Sequence, residues 1–313
     1  MYPFRLKPIY DSTIWAGDEL CRIRGVEPHS YGTSWEVSVH PHAQSVIQNG
    51  IYAGRQLKDV IAEAPQQVLG TSCTEQDLIR LAFLDARESL SVQVHPGEAY
   101  AELHEHDHGK TESWYILDAR PGASLVAGCD LATKNELWQA IADGTILKHL
   151  RHVPVTRGDF ICIPAGMLHA LGAGILALEI GTNSNTTYRF YDYDRTDAKG
   201  NKRELHLQKS FDVVDLSLRS DASHHPYDHS GRQETLLDRP EFQVRLADVQ
   251  GEWNLPADPT RYHVLSNMGA DAEIRYSGET MKFACTESMF LPAACGEIVV
   301  AGNTRVLLSN VTK

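Results

Sequence analysis

Residues 158–169 read GDFICIPAGMLH and end on His169, whose imidazole could bind a metal ion. The side chains before Pro164 alternate as in a half-buried strand, because successive strand residues point to opposite faces. Pro164 has no N–H to donate and ends the strand pairing, and Gly166 permits backbone conformations that a Cβ disfavours. The pattern predicts a strand, a tight turn and a histidine that points inward at the mouth of a β-barrel.

This spacing of glycine, proline, glycine and histidine resembles the second conserved motif of the cupin superfamily, whose fold is a small double-sheet jelly roll. A cupin site needs further ligands upstream. The segment SVQVHPGEAY supplies Gln93 and His95, which share one strand face, and GKTESWYIL supplies Glu112 at the start of another strand. These side chains offer nitrogen and oxygen, which suit Zn, Mn, Fe(II) or Co better than a thiolate-seeking metal. The neutral Gln93 leaves room for substrate oxygens.

Helical periodicity interrupts this β pattern in three places. Apolar spacing predicts a helix at residues 57–69 that Gly70 ends, and a second helix at residues 75–81. A third helix begins after Thr133, which forms a capping box with Glu136. Helices inserted into a β scaffold indicate a mainly β protein with helical insertions, an α+β enzyme rather than a bare barrel.

The composition excludes several classes of protein. The chain has 313 residues, enough for two domains, and a formal net charge of -12. This balance argues against a nucleic-acid surface, which depends on concentrated positive charge. No apolar run has the length of a signal peptide near the start or of a membrane span elsewhere. We therefore expect a cytoplasmic protein with no nucleic-acid or membrane partner, and six reduced cysteines without a CxxC pair.

Two polar stretches contain several histidines each. Residues 104–110, HEHDHGK, are typical of an exposed loop, and we expect no functional metal site there. Residues 221–239 contain Pro226 and Gly231 and are the best linker candidate. The histidines of this stretch are interpreted as solvated side chains: His224, His225 and His229.

The chain from about Pro240 alternates like a sheet. Residues 288–302, SMFLPAACGEIVVAG, echo the stretch around His169 without a histidine at the matching place. We therefore predict two jelly-roll units. Residues 1–235 form a catalytic cupin domain with helical insertions, and residues 236–313 form a C-terminal cupin-like β domain without a metal site.

The densest polar and aromatic run, EIGTNSNTTYRFYDYDRTD at residues 179–197, follows the strand that carries His169. Standing alone, such a run would be interpreted as an exposed edge strand with cross-strand ion pairs. Its position directly after the ligand strand instead favours a place in the functional site.

Several motifs, in order, resemble those of the type I mannose-6-phosphate isomerases in their short bacterial form. They are KPIYDSTIWAG near the start, GTSWEVS at 32–38, LSVQVHPGEAYA at 90–101, GKTESWYIL at 109–117, VPVTRGDFICIPAGMLHALGAG at 153–174, and NTTYRFYDYDR followed by RELH at 203–206. Several independent motifs together are far more specific than any single one. The resemblance covers nearly the whole chain and implies a double-cupin architecture. It also implies one zinc ion per chain, or another divalent metal, and a set of site residues: the metal ligands Gln93, His95, Glu112 and His169 and the catalytic residues Lys110 and Arg189.

The chemistry of this family fits those residue types. Interconversion of mannose 6-phosphate and fructose 6-phosphate moves a proton between C1 and C2 through an enediol, so the site must polarise one oxygen and relay one proton. A metal ion acts as the Lewis acid. Arg189 stabilises the developing oxyanion as a permanent cation, and Lys110 joins proton transfer or ring opening.

Two positions depart from the family pattern. Four residues before Arg189 the family commonly carries an aspartate, where this chain has Asn185, which cannot act as an acid or base. The groups that could act as the acid or base in its place are Asp192, Asp194 or a water molecule. At residues 97–100 this chain has GEAY, where the family usually has a more acidic sequence. By proximity in sequence, the candidates for phosphate binding are three cations: Arg195, Lys202 and Arg203.

Three hypotheses follow from the sequence. The leading one is a metal-dependent isomerase that acts on a sugar phosphate as a monomer or weak homodimer. A second is a non-catalytic cupin sensor of sugar phosphates, which is consistent with Asn185 because an asparagine cannot act as an acid or base. The third is an Fe(II) cupin dioxygenase, which is disfavoured by Gln93 in place of a histidine and by the pair of Lys110 and Arg189.

Overall fold

The computed structural model describes residues 1–27, 29–197, 199–228 and 230–312. The strands are β1 (Phe4–Arg5), β2 (Ile9–Asp11), β3 (Thr33–Val37), β4 (Ile79–Ala86), β5 (Val92–Val94), β6 (Glu112–Ala119), β7 (Ser124–Cys129), β8 (Leu150–Pro154), β9 (Asp159–Ile163), β10 (His169–Ala170), β11 (Ile175–Thr182), β12 (Tyr188–Tyr191), β13 (Ser223–His224), β14 (Gln233–Asp238), β15 (Gln243–Leu255), β16 (His263–Asn267), β17 (Ala272–Tyr276), β18 (Glu279–Phe283), β19 (Ser288–Leu291) and β20 (Ile298–Asn310). The helices are α1 (Glu19–Arg24), α2 (Leu57–Glu63), α3 (Pro65–Val68), α4 (Glu98–Glu105), α5 (Lys134–Ala142) and α6 (Leu207–Val213), with 3-10 turns at Gly50–Tyr52, Glu75–Asp77, Ile146–Lys148 and Ala293–Cys295. None of the described helices is long and apolar enough to cross a membrane.

The first barrel consists of two facing sheets. One has seven strands in the order β13-β9-β6-β11-β4-β3-β2, and the other has five in the order β12-β5-β10-β7-β8. Apolar side chains of both sheets, among them Trp114 and Leu125, fill the space between them. Residues of α4, α5 and α6 pack on the outer face of the five-stranded sheet. The barrel is thus the predicted jelly roll with helical insertions.

The turn between β9 and β10 carries the first predicted ligand. β9 ends at Ile163, Gly166 has a φ of 87°, and β10 begins at His169. His169 pairs with Gln93 of β5 on one side and with Ala127 of β7 on the other. The predicted strand, turn and histidine are confirmed, and the register brings two candidate ligands directly opposite each other.

Two of the three predicted helices form. Residues 57–69 make α2 and α3, which are separated at Pro65, and Gly70 follows with a φ of 96°. At the start of α5, Thr133 Oγ1 accepts a hydrogen bond from the Glu136 amide at 3.2 Å, and the Glu136 carboxylate accepts one from the Thr133 amide at 2.9 Å. The capping box is therefore confirmed.

The helix predicted at residues 75–81 is wrong. Only Glu75–Asp77 forms a 3-10 turn, and β4 begins at Ile79. Every residue of β4 is buried, since one face packs inside the first barrel and the other against the second. A strand covered on both faces has no polar alternation, so its apolar run cannot be distinguished from a buried helix by periodicity.

The second barrel is one curled eight-stranded sheet. Its path is β1-β19-β16-β20-β15-β14, with β17 beside β20 and β18 beside β17. After β19, Pro292 and Gly296 (φ 80°) repeat the order of Pro164 and Gly166 in the first barrel. The predicted boundary between residues 235 and 236 falls inside β14, so the exact division into two domains stays a prediction.

The predicted linker at residues 221–239 contains two strands. β13 pairs with β9 of the first barrel, and β14 pairs with β15 of the second. His224 is exposed but lies 2.6 Å from Asp159 through Nδ1 and Oδ1, and His225 contacts Ser223 at 2.7 Å. His229 lies outside the described residues. The segment is therefore a structural connection between the barrels as well as a polar surface stretch.

Candidate metal centre and active site

The candidate ligands come from four places in the first barrel. Gln93 lies in the middle of β5, and His95 follows the end of that strand. Glu112 opens β6, where it pairs with Ile163 at the end of β9. His169 opens β10, directly after the turn. Residues far apart in sequence therefore meet between the two sheets because each lies at or near a strand end.

Three of these side chains form a compact and fully buried group. His95 Nε2 lies 3.1 Å from His169 Nε2 and 3.5 Å from Glu112 Oε2, and His169 Nε2 lies 3.4 Å from Glu112 Oε1. All three side chains have no solvent exposure. Within the described ranges, this is the one group of three or more histidine, cysteine or acidic side chains whose ligand atoms could hold a metal ion together.

The protonation of the two rings makes this group suitable for a cation. His95 donates its Nδ1 hydrogen to the carbonyl of Thr186 at 2.9 Å, and His169 donates its own to the carbonyl of Met167 at 2.8 Å. Burial lowers the pKa of His95 to about 3, assisted by the charge of Lys110. A neutral imidazole that donates from Nδ1 has a lone pair on Nε2, and the Nε2 atoms of both rings face the centre of the group.

The carboxylate of Glu112 gives a second indication of a cation site. Burial by itself would raise its pKa, but the positive charge of Lys110 together with the contacts of His95 and His169 holds the pKa well below its ordinary value. Lys110 Nζ lies 2.6 Å from Oε2. In the part of the chain that the structure describes, however, neither oxygen has a partner in hydrogen-bond geometry. A buried ionised carboxylate without hydrogen bonds is costly, so the donor set fits a divalent metal ion.

Gln93 lies at the edge of this group. Its Nε2 atom is 3.3 Å from His169 Nε2, and the side chain is buried. The side-chain amide is therefore within reach of the position where the two imidazoles and the carboxylate converge. Its role as a fourth ligand stays a prediction.

Lys110 joins the metal-ligand group to a second buried carboxylate. Its Nζ atom lies 2.6 Å from Glu112 Oε2 and 3.5 Å from Glu179 Oε1. Burial lowers the pKa of Lys110 to about 8, against the raising effect of Glu112. The lysine is 4% exposed, so this is not the surface lysine that composition alone would favour.

Sequence reasoning missed two residues of this network, Arg80 and Glu179. They form a buried ion pair, and burial lowers the pKa of Arg80 to about 10. Glu179 on β11 pairs with Ala82 of β4, two residues after Arg80, so both side chains point into the first barrel. The available signal was the presence of charged residues inside two otherwise apolar strands, Arg80 in IRLAFLDA and Glu179 in ILALEIGT.

Arg189 lies on β12 directly opposite Gln93 of β5. Its Nη1 donates to the carbonyl of Glu204 at 2.8 Å, while Nε has no partner among the described residues. Burial and then the nearby charge of Arg203 lower the pKa of Arg189. The guanidinium thus has free donor capacity close to the candidate metal centre.

The predicted phosphate cations divide into two groups. Arg195 and Arg203 both bind Asp192, with each guanidinium 2.6 Å from Oδ1, whereas Lys202 pairs with the exposed Asp194 at 2.7 Å. Arg189 lies within electrostatic range of Arg203, Arg195 and Asp192. We call this set, Arg189, Arg195 and Arg203, the arginine cluster.

Asn185 does not lie in this cluster. Its side-chain Oδ1 accepts a hydrogen bond from Arg80 Nη1 at 3.2 Å, and its backbone N–H donates to Asp107 Oδ2 at 3.3 Å. The side chain is therefore part of the loop between β11 and β12. At the position where the family commonly has an aspartate, Asn185 therefore makes a hydrogen bond to Arg80.

The histidines of residues 104–110 are separate from the candidate ligands. His104 lies in α4, so the predicted loop begins later than expected. His108 Nδ1 contacts Glu98 at 2.9 Å. His106 and His108 line an open cleft of about 1080 Å³ whose charged lining residues are mostly acidic, and none of the three buried ligands lines it.

These observations define the class of the protein: it is a cupin whose first barrel contains a metal-ligand cluster between its sheets. Comparison with known proteins gives the family. Residues 4–127 match the model of the type I phosphomannose isomerase catalytic domain. The chain is 35% identical to the mannose-6-phosphate isomerase ManA of Bacillus subtilis, with 99% of both chains covered. It is 33% identical to the mannose-6-phosphate isomerase of Streptococcus mutans, with 98% of both covered.

The fold comparison agrees. The crystal structure of the mannose 6-phosphate isomerase from Bacillus subtilis superposes with a TM-score of 0.90 at 30% identity, covering 99% of this chain and 100% of that one. The chain therefore belongs to the type I phosphomannose isomerase family, and the predicted double-cupin fold is confirmed.

Proposed function

We propose that this chain interconverts D-mannose 6-phosphate and D-fructose 6-phosphate, with one zinc ion per chain bound by His95, Glu112, His169 and Gln93. The observation that carries the proposal is the convergence of two imidazole Nε2 atoms on a buried carboxylate whose oxygens have no partner in hydrogen-bond geometry among the described residues. Nitrogen and oxygen donors in a closed site suit zinc, and other divalent metals of similar preference remain candidates. When bound, the metal supplies Lewis-acid polarisation of a sugar oxygen.

Glu179 is the proposed base that moves a proton between C1 and C2. Its carboxylate is buried, ion-paired to Arg80 and 3.5 Å from Lys110 Nζ. An ion pair with an arginine favours the ionised form of a carboxylate, which is the form that accepts a proton. The alternatives named from sequence are less suited, because Asp192 is held by two arginines and Asp194 is exposed with Lys202.

Lys110 and Arg189 act on the oxygens of the substrate in this proposal. Lys110 holds its protons between two carboxylates, within the group of buried residues, and can donate one to a sugar oxygen during ring opening. Arg189 has an unused Nε donor and stabilises negative charge that develops on an enediol oxygen.

The arginine cluster is the proposed binding site of the substrate phosphate. Two of the three guanidinium groups pair with Asp192, and Arg189 lies within electrostatic range of the same residues, so the cluster carries excess positive charge in a protein whose net charge is -12. Planar guanidinium groups bind phosphate through paired hydrogen bonds. Lys202, which is exposed and paired with Asp194, is not needed in this arrangement.

The function is tested by a coupled assay of mannose 6-phosphate conversion. Metal-stripped protein is measured before and after addition of zinc, beside a His169→Ala variant. We expect turnover that returns with zinc and is lost in the variant. Binding of fructose 6-phosphate without turnover by folded, zinc-loaded protein would instead establish the sensor hypothesis, and oxygen uptake with iron would establish the dioxygenase.

Three further predictions accompany this proposal. The chain is divided into a catalytic domain at residues 1–235 and a C-terminal cupin-like domain at residues 236–313, which has no metal site. It works in the cytoplasm, and it is a monomer or weak homodimer. Light scattering across a concentration series measures the oligomeric state, and limited proteolysis tests the domain division.

A further inference from the structure

We propose that Asp107 is a positioning residue of the metal centre, because it fixes the loop whose carbonyl group orients His95. The inference rests on the proposed metal-binding function and assigns a role to a residue outside the candidate ligands. The two histidines donate to carbonyl groups in different parts of the chain, and one carboxylate oxygen of Asp107 holds the loop whose carbonyl accepts from His95.

The two histidines are oriented in different ways. His169 donates its Nδ1 hydrogen to Met167, two residues earlier in the same turn. His95 donates to the carbonyl of Thr186, which lies in the segment between β11 and β12. That segment, residues 183–187, has no regular secondary structure. The orientation of His95 therefore depends on a loop that must be held by other contacts.

Asp107 supplies three of those contacts through one atom. Its Oδ2 accepts hydrogen bonds from Ser184 Oγ at 3.0 Å, from the Asn185 amide at 3.3 Å and from Thr186 Oγ1 at 2.7 Å. The other oxygen, Oδ1, accepts from the His108 amide at 2.8 Å. Three consecutive loop residues thus converge on one carboxylate oxygen, and the last of them carries the carbonyl that His95 uses.

Arg80 supports the same loop from the other side. Its Nη1 donates to the Ser184 carbonyl at 2.5 Å and to Asn185 Oδ1 at 3.2 Å. The loop is therefore held between an anion and a cation. Because Arg80 also binds Glu179, its removal would disturb the proposed base, and Asp107 is the cleaner residue to test.

The position of Asp107 in the chain gives it a second connection to the site. It lies three residues before Lys110, whose amide donates to the Pro96 carbonyl at 3.0 Å, beside His95. Both carboxylate oxygens of Asp107 accept hydrogen bonds, so its contacts fix the segment leading to Lys110 as well as the loop. One side chain thus connects the segments that carry His95, Lys110 and Glu112.

Groups that orient a metal ligand through hydrogen bonds influence metal affinity, and their loss typically weakens binding about 10- to 100-fold. Asp107→Asn is the informative substitution. An asparagine is neutral and has one acceptor oxygen. If that oxygen faces the loop, the three loop bonds lose their charge-assisted strength and the NH2 group faces the His108 backbone N–H; if it faces His108, the loop donors lose their acceptor. We expect the zinc dissociation constant of this variant to rise about 10- to 100-fold.

The measurement is competition for zinc against a chromogenic chelator, together with the rate of zinc loss to excess chelator. At saturating zinc we expect kcat to recover towards the wild-type value, which a general structural defect would not produce. Asp258→Asn is the matched control, since Asp258 accepts from the Thr260 amide at 3.0 Å in the second barrel and has no connection to His95. Its zinc affinity should equal that of the wild type.

Thr186→Val gives an independent variant. It removes the hydroxyl that reaches Asp107 but keeps the carbonyl that accepts from His95. We expect a smaller loss of zinc affinity, and a double variant with Asp107→Asn that is weaker by less than the product of the two single effects.

The outcomes separate the two proposals. Wild-type protein that binds no zinc overturns the metal centre and this inference with it. Wild-type zinc binding with an Asp107→Asn dissociation constant within about twofold of the wild type overturns the inference alone. If the asparagine variant does not fold, Thr186→Val decides, and an unchanged zinc affinity in that variant rejects the role of Asp107.

Discussion

His95 and His169 face each other through their Nε2 atoms at 3.1 Å, and each ring donates its Nδ1 hydrogen to a backbone carbonyl. Two lone pairs at this distance repel each other, and the adjacent Glu112 carboxylate adds a negative charge without hydrogen bonds. A cation at this position converts both features into favourable contacts. We therefore expect a bound cation to stabilise the folded protein.

Zinc is expected to raise the unfolding temperature of the protein. A ligand that binds only the native state stabilises it by about 2.7 kcal/mol at a concentration of 100 times its dissociation constant. His169→Ala should lose this zinc-dependent increase, while His224→Ala, a change at an exposed histidine, should keep it. Thermal unfolding with zinc and with chelator measures the difference. Equal increases in the two variants would contradict the ligand assignment.

Glu179→Gln is expected to lower kcat by about 10²- to 10⁴-fold, the usual contribution of a general base, with little change in KM. The amide has the shape of the carboxylate and can still accept from Arg80. Glu241→Gln is the control, because Glu241 is a partly buried carboxylate bonded to Thr111 Oγ1 at 3.1 Å, outside the site. Steady-state kinetics on folded, zinc-loaded protein give both parameters. A kcat for Glu179→Gln equal to that of the wild type would show that Glu179 is not the base.

Arg203→Gln is expected to raise the KM for mannose 6-phosphate by about 10-fold or more, since a hydrogen bond to a charged group contributes about 1.5–3 kcal/mol. Asp192 keeps Arg195 as a partner, so the local structure should persist. Lys202→Gln changes an exposed lysine nearby and should leave KM almost unchanged. If the two variants have the same KM, the arginine cluster does not bind the phosphate.

Asp85 makes stability dependent on pH at a position away from the metal centre. Burial raises its pKa to about 6, although its Oδ2 accepts from the Leu20 amide at 2.8 Å. Because the pKa is higher in the folded than in the unfolded state, the contribution of Asp85 to stability is present at about pH 4 and is lost as the pH rises through 6.

The test is the difference in unfolding free energy between Asp85→Asn and the wild type. This difference should rise in favour of the variant by about 3 kcal/mol between pH 4 and pH 7 and then become constant, since one pKa unit corresponds to about 1.4 kcal/mol. Urea titrations at a series of pH values measure it. A difference that does not change with pH would show that Asp85 has no such effect.

The sequence was sufficient for features that depend on local chemistry. Pro164, Gly166 and His169 predicted the ligand turn because each acts through its own backbone or side chain. The capping box of α5 is local in the same way. The grouping of His95, Glu112 and His169 followed from family motifs and is present in the structure. The roles of Gln93, Lys110 and Arg189 stay predictions.

The residues that sequence reasoning missed depend on contacts between distant strands. Arg80 and Glu179 meet because β4 and β11 are adjacent in one register, which no local pattern specifies. The contacts of Asp107 with the loop at residues 183–187 likewise join separate parts of the chain. The incorrect helix at residues 75–81 has a related cause, since burial of both faces of β4 is a property of the assembled barrels.

The pairing of β1 with β19 has a consequence for how the chain folds during synthesis. Phe4 lies opposite Phe290, so β1 cannot join its sheet until β19, far later in the sequence, has been synthesised. At roughly 5–20 residues per second, this delay is about 15–60 s, during which β1 lacks its partner strand. Closure of the second barrel is therefore a late step of folding, which joins segments that synthesis separates by many seconds.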